Sequence, residues 1–163
     1  MPTRRSASES QSAILASIFA ALPPYGTLVP GRSLGGVHLG EPAAQVRAAF
    51  GPHGVCSGCA RTTWYFTYGK FQQQGLAIEL THGRVSGAYT LWQPQGWRSV
   101  PSGLALGAVE GQVTALAGTL IPVACPGYTA LARDGPSART VYYIVDGKLW
   151  GFGLFRRAAS PCR

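Results

Sequence analysis

The sequence predicts an α+β fold of two tandem repeats, in which each repeat is a short helix packed on an antiparallel β-meander. Three observations favour this class. An internal repeat pairs two segments, a turn motif recurs late in each half, and 22 glycines with 12 prolines among 163 residues imply many turns between short elements. Hydrophobic residues make up 46% of the chain and charged residues 12%, so there are enough apolar side chains for a core.

The internal repeat aligns residues 36–51 with residues 103–118, and seven of the sixteen aligned pairs are identical. Later in each half, His82-Gly83 and Asp146-Gly147 occupy matching two-residue turns, and Asp-Gly is among the strongest hairpin signals. Two matched motifs in the same order predict a duplication. The first repeat would cover residues 27–100 and the second residues 101–163.

Each predicted repeat begins with a short apolar stretch that ends at a glycine, Gly40 or Gly107. A brief helix then runs to Gly51 or Gly118, because glycine is a common residue at a helix end. Pro42 fits the first turn of its helix, where the missing N–H is not needed. Strands are expected at about residues 62–68, 76–81 and 84–91 in the first repeat, and at about residues 140–145 and 148–155 in the second.

The first 26 residues have two interpretations. Arg4 and Arg5, followed by an apolar run at residues 13–22, are typical of a signal peptide. Ser6 and Glu9 instead form a capping box for an amphipathic helix. The apolar run is too short to span a bilayer, and no lipid-attachment cysteine follows it. The sequence therefore predicts no transmembrane segment and favours export, with a secreted or cell-envelope location.

The four cysteines form an even set, which suits an oxidising compartment. We expect Cys56 to pair with Cys59, and Cys125 to pair with Cys162 within the second repeat. Cys56-Ser-Gly-Cys59 also suggests a thiol–disulfide site, but such a pair needs a helix N-terminus to lower the thiol pKa, and here the motif precedes a strand. A Cys₄ zinc site would need a second close pair, so we expect no metal and no cofactor.

Charge and motif content limit the function classes. The formal net charge is +8, yet the basic residues are spread along the chain without a block. Proteins that bind nucleic acids usually gather their basic residues into a patch. Nucleic-acid or glycan binding is therefore only an alternative to the protein-binding function that we expect. No nucleophile elbow, Ser-His-Asp order or phosphate-binding loop occurs in the sequence. We therefore expect a protein that is not an enzyme.

Aromatic residues supply the remaining functional signal. Alternation along the last predicted strand places Leu149 and Phe155 toward the helix, and Trp150 and Phe152 on the opposite face. A large apolar outer face is either an interface between the repeats or a surface that binds a partner. The two tryptophans between the repeats would line the same surface. The candidate binding residues are Tyr65, Arg84, Trp92, Trp97, Lys148, Trp150 and Phe152.

A short pattern in the first half resembles a known family. Leu39-Gly40, Gln45-Val46, Gly51 and the segment Trp64-Tyr65-Phe66 resemble the SmpA/OmlA small outer-membrane lipoprotein domain, and the tandem doubling is similar to the β-lactamase inhibitory protein family. The resemblance spans roughly residues 33–155 and carries over no partner-contact residue. It implies helices on one face of an antiparallel sheet and a protein-binding role. We therefore expect an exported monomer that binds another protein or a cell-envelope component through a sheet face.

Overall fold

The structure, a computed structural model, describes residues 21–163, so most of the predicted signal peptide or amphipathic helix lies outside the described residues. This part of the chain is mostly β, with twelve strands and two short helices. The first six strands are β1 (Thr27–Val29), β2 (Ser33–Leu34), β3 (Val37–His38), β4 (Gly54–Val55), β5 (Thr62–Thr67) and β6 (Gly75–Thr81). The other six are β7 (Arg84–Leu91), β8 (Arg98–Ser99), β9 (Ile121–Cys125), β10 (Tyr128–Asp134), β11 (Ala138–Val145) and β12 (Lys148–Arg156). The helices are α1 (Ala43–Phe50) and α2 (Glu110–Leu116).

Eight of the strands form one antiparallel sheet in the order β4-β5-β6-β7-β12-β11-β10-β9. The pair β7–β12 lies at its centre, with Tyr89 opposite Gly153 and Gly87 opposite Phe155. The strand pairing therefore continues without a break from β4 to β9. The other four strands form a small sheet in the order β3-β2-β1-β8, in which β1 and β8 are parallel.

The two faces of the large sheet have different coverings. On the first face, Leu76, Ile78 and Leu154 are fully buried in the main core, which also contains residues of the small sheet and of both helices. On the second face, Tyr143 and Phe155 belong to a smaller buried cluster that lacks any residue of either helix. The second face is therefore not covered by either helix.

Trp97 anchors the small sheet to the first face. Its side chain is fully buried, and its Nε1 donates a hydrogen bond of 2.7 Å to Tyr68 Oη. Gly26 lies directly against the indole, since a Cβ atom added there would lie 2.4 Å from the ring. Trp97 is therefore a core residue and has no exposed surface in the folded chain, unlike the binding surface predicted for it.

Both helices are short and lie against hairpin turns of the large sheet. The N–H of Gly40, before α1, donates to Val85 O at 2.8 Å, and the N–H of Gly107, before α2, donates to Leu149 O at 2.7 Å. Val113 of α2 is fully buried. The repeated sequence segments thus make similar local contacts at two turns of a single sheet.

The predicted α+β class, with two tandem repeats of a helix on a meander, is wrong. Helices of eight and seven residues make about two turns each and cannot form a layer over eight strands. The small sheet covers part of the first face together with the helices. The β7–β12 pairing joins all eight strands into one large sheet. The small sheet was missed because strands of two or three residues are too short to show a periodic pattern.

A β-bulge changes the side-chain alternation in β12. The pairing with β11 skips Trp150, which is an extra residue between two paired neighbours, and the pairing of β7 with β6 skips Ser86 in the same way. Such an extra residue reverses the alternation of the residues that follow it. Leu149 and Phe152 consequently share the core of the first face, while Phe155 lies on the second face. The alternation predicted for β12 is therefore wrong from Gly151 onward.

Candidate functional site

Tyrosines are concentrated on the second face of the large sheet. Tyr65, Tyr89, Tyr128 and Tyr143 come from β5, β7, β10 and β11, respectively. Burial is the main cause that raises the pKa of Tyr89 and of Tyr143 well above the ordinary value of 10.0. These two hydroxyls therefore stay neutral even at alkaline pH and act as hydrogen-bonding groups.

The segment of residues 157–163 lies on the second face and is held there at several points. Tyr143 Oη donates a hydrogen bond of 2.9 Å to Pro161 O, and Tyr128 Oη bonds to the backbone of Arg163. A disulfide joins Cys162 to Cys125 in β9. The predicted pairing of Cys125 with Cys162 is confirmed, and it fixes this segment against the sheet.

A buried ion pair fastens the same segment to the middle of the sheet. Arg163 Nη2 donates to Glu79 Oε2 at 3.1 Å, and the two side chains are only 7% and 5% exposed. Arg163 Nε also lies close to Oε1, although its direction is not that of a hydrogen bond. The guanidinium stands 4.0 Å from the centroid of the Phe155 ring, and that ring lies against Gly87, where a Cβ atom would approach it to 2.6 Å. The pair is therefore enclosed by packing that depends on a glycine.

Beside this ion pair the second face has a groove with a volume of 230 Å³. Among the described residues that line it, five are aromatic and Arg163 alone is charged. Trp92 is 54% exposed at one side of the groove, and Trp150 is half-buried. The volume is below the roughly 300–1,000 Å³ of small-molecule sites, so the groove is better suited to one inserted side chain. The aromatic lining residues are Tyr89, Trp92, Tyr128, Tyr143 and Trp150.

The seven candidate binding residues do not form one site. Trp92 and Trp150 line the groove together, and Tyr65 belongs to the same face. Phe152, like Trp97, is fully buried in the core of the first face and does not line the groove. The other two, Arg84 and Lys148, are exposed at hairpin turns. Arg84 Nη1 donates to Gly40 O at 2.9 Å, and the backbone of Lys148 forms an isolated antiparallel β-bridge with Val109.

Three tyrosines of the groove, Tyr89, Tyr128 and Tyr143, were not among the predicted binding residues. Alternation within β10 and β11 places Tyr128 and Tyr143 on the second face, whereas Tyr89 lies there because the bulge at Ser86 displaces the alternation of β7 by one residue. A sequence signal was available, because each bulged residue precedes a glycine that lies on the second face. It was not recognised, since an isolated strand glycine can have several causes.

The second disulfide joins Cys56 to Cys59, as predicted, in the loop between β4 and β5. The loop contains no helix, so no helix N-terminus acts on these sulfurs. Within residues 21–163, no cluster of His, Cys, Asp or Glu has the arrangement of a metal site, and neither helix is long and apolar enough to cross a membrane. Two disulfides are typical of proteins in oxidising, extracytoplasmic compartments.

Comparison with known proteins gives a likeness of fold alone. No family model matches the sequence, and no curated protein matches it. Among solved structures, the chain is similar to an extracellular protein containing a SCP domain from Bacillus anthracis strain Ames. The TM-score is 0.52 at 10% identity, and the match covers 72% of this chain and 44% of that chain, so this chain spans less than half the length of the other protein.

Proposed function

We propose that this chain is an exported, non-catalytic module that binds another protein or a cell-envelope component through the second face of its large sheet. Two disulfides and a structural neighbour that is itself an extracellular protein support an extracytoplasmic location. The resemblance to the SmpA/OmlA and β-lactamase inhibitory protein families stays a prediction, and it implies the same protein-binding role. The thiol–disulfide and polyanion alternatives also stay predictions.

The aromatic groove is the observation that carries this proposal. Tryptophan and tyrosine are enriched among the few residues that supply most of the binding energy of protein interfaces. Trp92 is the clearest anchor, because an indole that is 54% exposed on a folded surface can lose much more contact with water when a partner covers it. The first face offers no comparable surface, since the small sheet and the helices cover it.

The polar groups of the groove are already bonded within the protein. Arg163 is paired with Glu79, the hydroxyl of Tyr143 bonds to Pro161 O, and Thr90 Oγ1 accepts the N–H of Phe152 at 2.9 Å. A charged occupant would therefore lose its water without gaining a strong new partner. The groove favours an uncharged aromatic or large aliphatic side chain from the partner.

The test is recovery of the partner from the envelope fraction of the source organism, with the described chain as bait. The wild type, Trp92→Ala and Trp150→Ala are compared with Phe71→Ala as the matched control, because Phe71 is 92% exposed at a loop outside the groove. We expect the wild type and the control to recover the same protein and the two tryptophan variants to lose it. Once the partner is purified, each tryptophan variant should bind it at least about 30-fold more weakly, the loss of roughly 2 kcal/mol typical of an interface anchor.

The unfolding midpoint of each variant shows whether the loss reflects binding or folding. A Trp92→Ala protein that folds normally and still binds the partner as well as the wild type would contradict the proposed surface. Equal losses for Phe71→Ala and Trp92→Ala would place the interface elsewhere on the chain.

A further inference from the structure

A cleft of 420 Å³ lies on the other side of the molecule, where the small sheet meets the hairpin of β10 and β11. Three turns form its walls, and each contributes a proline, namely Pro30, Pro101 and Pro136. The volume falls within the range of about 300–1,000 Å³ that is usual for small-molecule sites. Unlike the groove on the second face, this cleft is large enough for a complete small ligand.

The walls of the cleft are held in place before any ligand arrives. The N–H of Gly31, at the turn between β1 and β2, donates a hydrogen bond of 2.8 Å to Thr140 Oγ1 in β11. Each proline restricts its own backbone, because the ring fixes φ. The cleft therefore requires little ordering when it binds a ligand, which favours affinity.

The polar groups that line the cleft are donors with spare capacity. The Arg32 side chain makes no hydrogen bond and no ion pair within residues 21–163, and Arg133 uses only Nη1, which donates to Ala117 O at 3.2 Å. Thr140 is 2% exposed, and its oxygen accepts from Gly31, while its O–H has no acceptor among the described residues. The Thr140 hydroxyl therefore has one O–H left to donate to a ligand.

No carboxylate balances these donors inside the cleft. The described lining contains no Asp or Glu, and nearby Asp134 is occupied by Arg139, whose Nε lies 2.7 Å from Oδ1. The remaining lining is mostly apolar, with the three prolines and two valines. A ligand that matches this environment has one anionic end and an apolar body.

We propose that this cleft binds a small carboxylate with an apolar body, its carboxylate placed between Arg32 and Arg133 and near the Thr140 hydroxyl. Guanidinium groups bind carboxylates with charge-assisted hydrogen bonds. A dianion loses more hydration free energy than a monoanion when it enters the cleft, and the apolar walls form no hydrogen bonds that would offset this loss. A monoanion is therefore preferred over inorganic phosphate. The cleft and the groove of the second face have no lining residue in common. A result that the cleft binds no carboxylate would therefore leave the proposed protein-binding role of the second face unaffected.

The test is calorimetric titration of the described chain with benzoate, benzyl alcohol and inorganic phosphate. Benzoate has the expected anionic end and apolar body, benzyl alcohol lacks the charge, and phosphate lacks the body. We expect saturable binding of benzoate, with benzyl alcohol and phosphate each at least about tenfold weaker. Absence of saturable benzoate binding, or phosphate binding as tight as benzoate, would overturn the assignment.

Charge-removing variants locate the site. Arg32→Gln and Arg133→Gln should each weaken benzoate binding by roughly tenfold. Lys70→Gln is the matched control, because it removes the same charge from a loop whose residues do not line the cleft. Arg133 also bonds to the end of α2, so Arg32→Gln keeps the test valid if Arg133→Gln folds poorly. An equal loss in Lys70→Gln, or no loss in Arg32→Gln, would show that binding does not occur in this cleft.

Discussion

At the scale of single residues, chemically similar side chains have different roles in this protein. Trp97 and Trp92 are five positions apart, yet the first is fully buried and the second is 54% exposed. The difference arises because Trp97 packs against Gly26, just before β1, and donates a hydrogen bond to the hydroxyl of Tyr68. Trp92 follows β7 with a positive φ of 56°, which turns the chain away from the sheet.

This difference predicts effects of different size for the same substitution at the two positions. Trp97→Ala should lower the free energy of unfolding by about 3–5 kcal/mol, because it leaves a large cavity between the two sheets and removes a hydrogen bond. Trp92→Ala should lower it by less than about 1 kcal/mol, since the indole is largely in water. Urea unfolding of both variants measures these values. A Trp97→Ala protein as stable as Trp92→Ala would show that the indole does not hold the small sheet in place.

At the scale of elements, close backbone approach determines where glycine is required. A Cβ atom at Gly75, in β6, would lie 1.9 Å from Phe66 O on the neighbouring strand. Gly111, in α2, has open space where its Cβ would be. Glycine is thus a requirement of sheet packing at the first position and only a weakness of the helix at the second.

Alanine substitutions at these two glycines should therefore change stability in opposite directions. Gly75→Ala should destabilise the protein by about 1–3 kcal/mol, because β5 and β6 must move apart. Gly111→Ala should stabilise it by about 0.5–1 kcal/mol, because alanine loses less backbone entropy in a helix. Thermal unfolding of the two variants gives both values under the same conditions. Destabilisation by Gly111→Ala would mean that α2 is not a helix at that position.

At the scale of the whole molecule, two disulfides act over different lengths of chain. Cys125–Cys162 closes a loop of sequence separation 37 and holds residues 157–163 on the second face, whereas Cys56–Cys59 closes a separation of 3 within one loop. Because Cys162 is adjacent to Arg163, the Cys125–Cys162 disulfide also helps to hold Arg163 in its buried ion pair with Glu79. Only this disulfide supports both stability and the shape of the proposed binding surface.

Removal of each disulfide should therefore have unequal consequences. The Cys125→Ser/Cys162→Ser protein should lose about 4 kcal/mol of unfolding free energy from loop entropy alone, and Cys56→Ser/Cys59→Ser about 1.6 kcal/mol. The first variant should also expose the groove, because Arg163 loses its tether. Chemical unfolding of the two double variants, with the wild type in reductant for reference, measures the difference. A larger loss for the Cys56 and Cys59 variant would contradict this account of residues 157–163.

The sequence by itself determined the short-range features of this protein. The Cys56–Cys59 pairing, the hairpin turn at Asp146-Gly147 and the approximate position of both helices followed from local spacing and from residues with special backbone freedom. The Cys125–Cys162 pairing instead followed from the position of both cysteines in the second half of the chain. Trp150 was also identified as a binding candidate from strand alternation, and Trp92 from its position between the two repeated segments. The predictions of the helices, the hairpin turn and the Cys56–Cys59 pair are confirmed, because each depends on only a few neighbouring residues.

Tertiary structure alone decided the fold class and the composition of the candidate site. Joining β7 to β12 and adding the small sheet depend on contacts between distant residues, such as Gly31 with Thr140, which no periodic pattern encodes. The bulge at Trp150 exchanged the faces of Phe152 and Phe155, because one extra residue reverses a period of two. Pairing of Arg163 with Glu79 likewise required the disulfide that brings residues 157–163 onto the sheet. Side-chain direction in a sheet is thus set by the register of partner strands, and that register is a property of the assembled molecule.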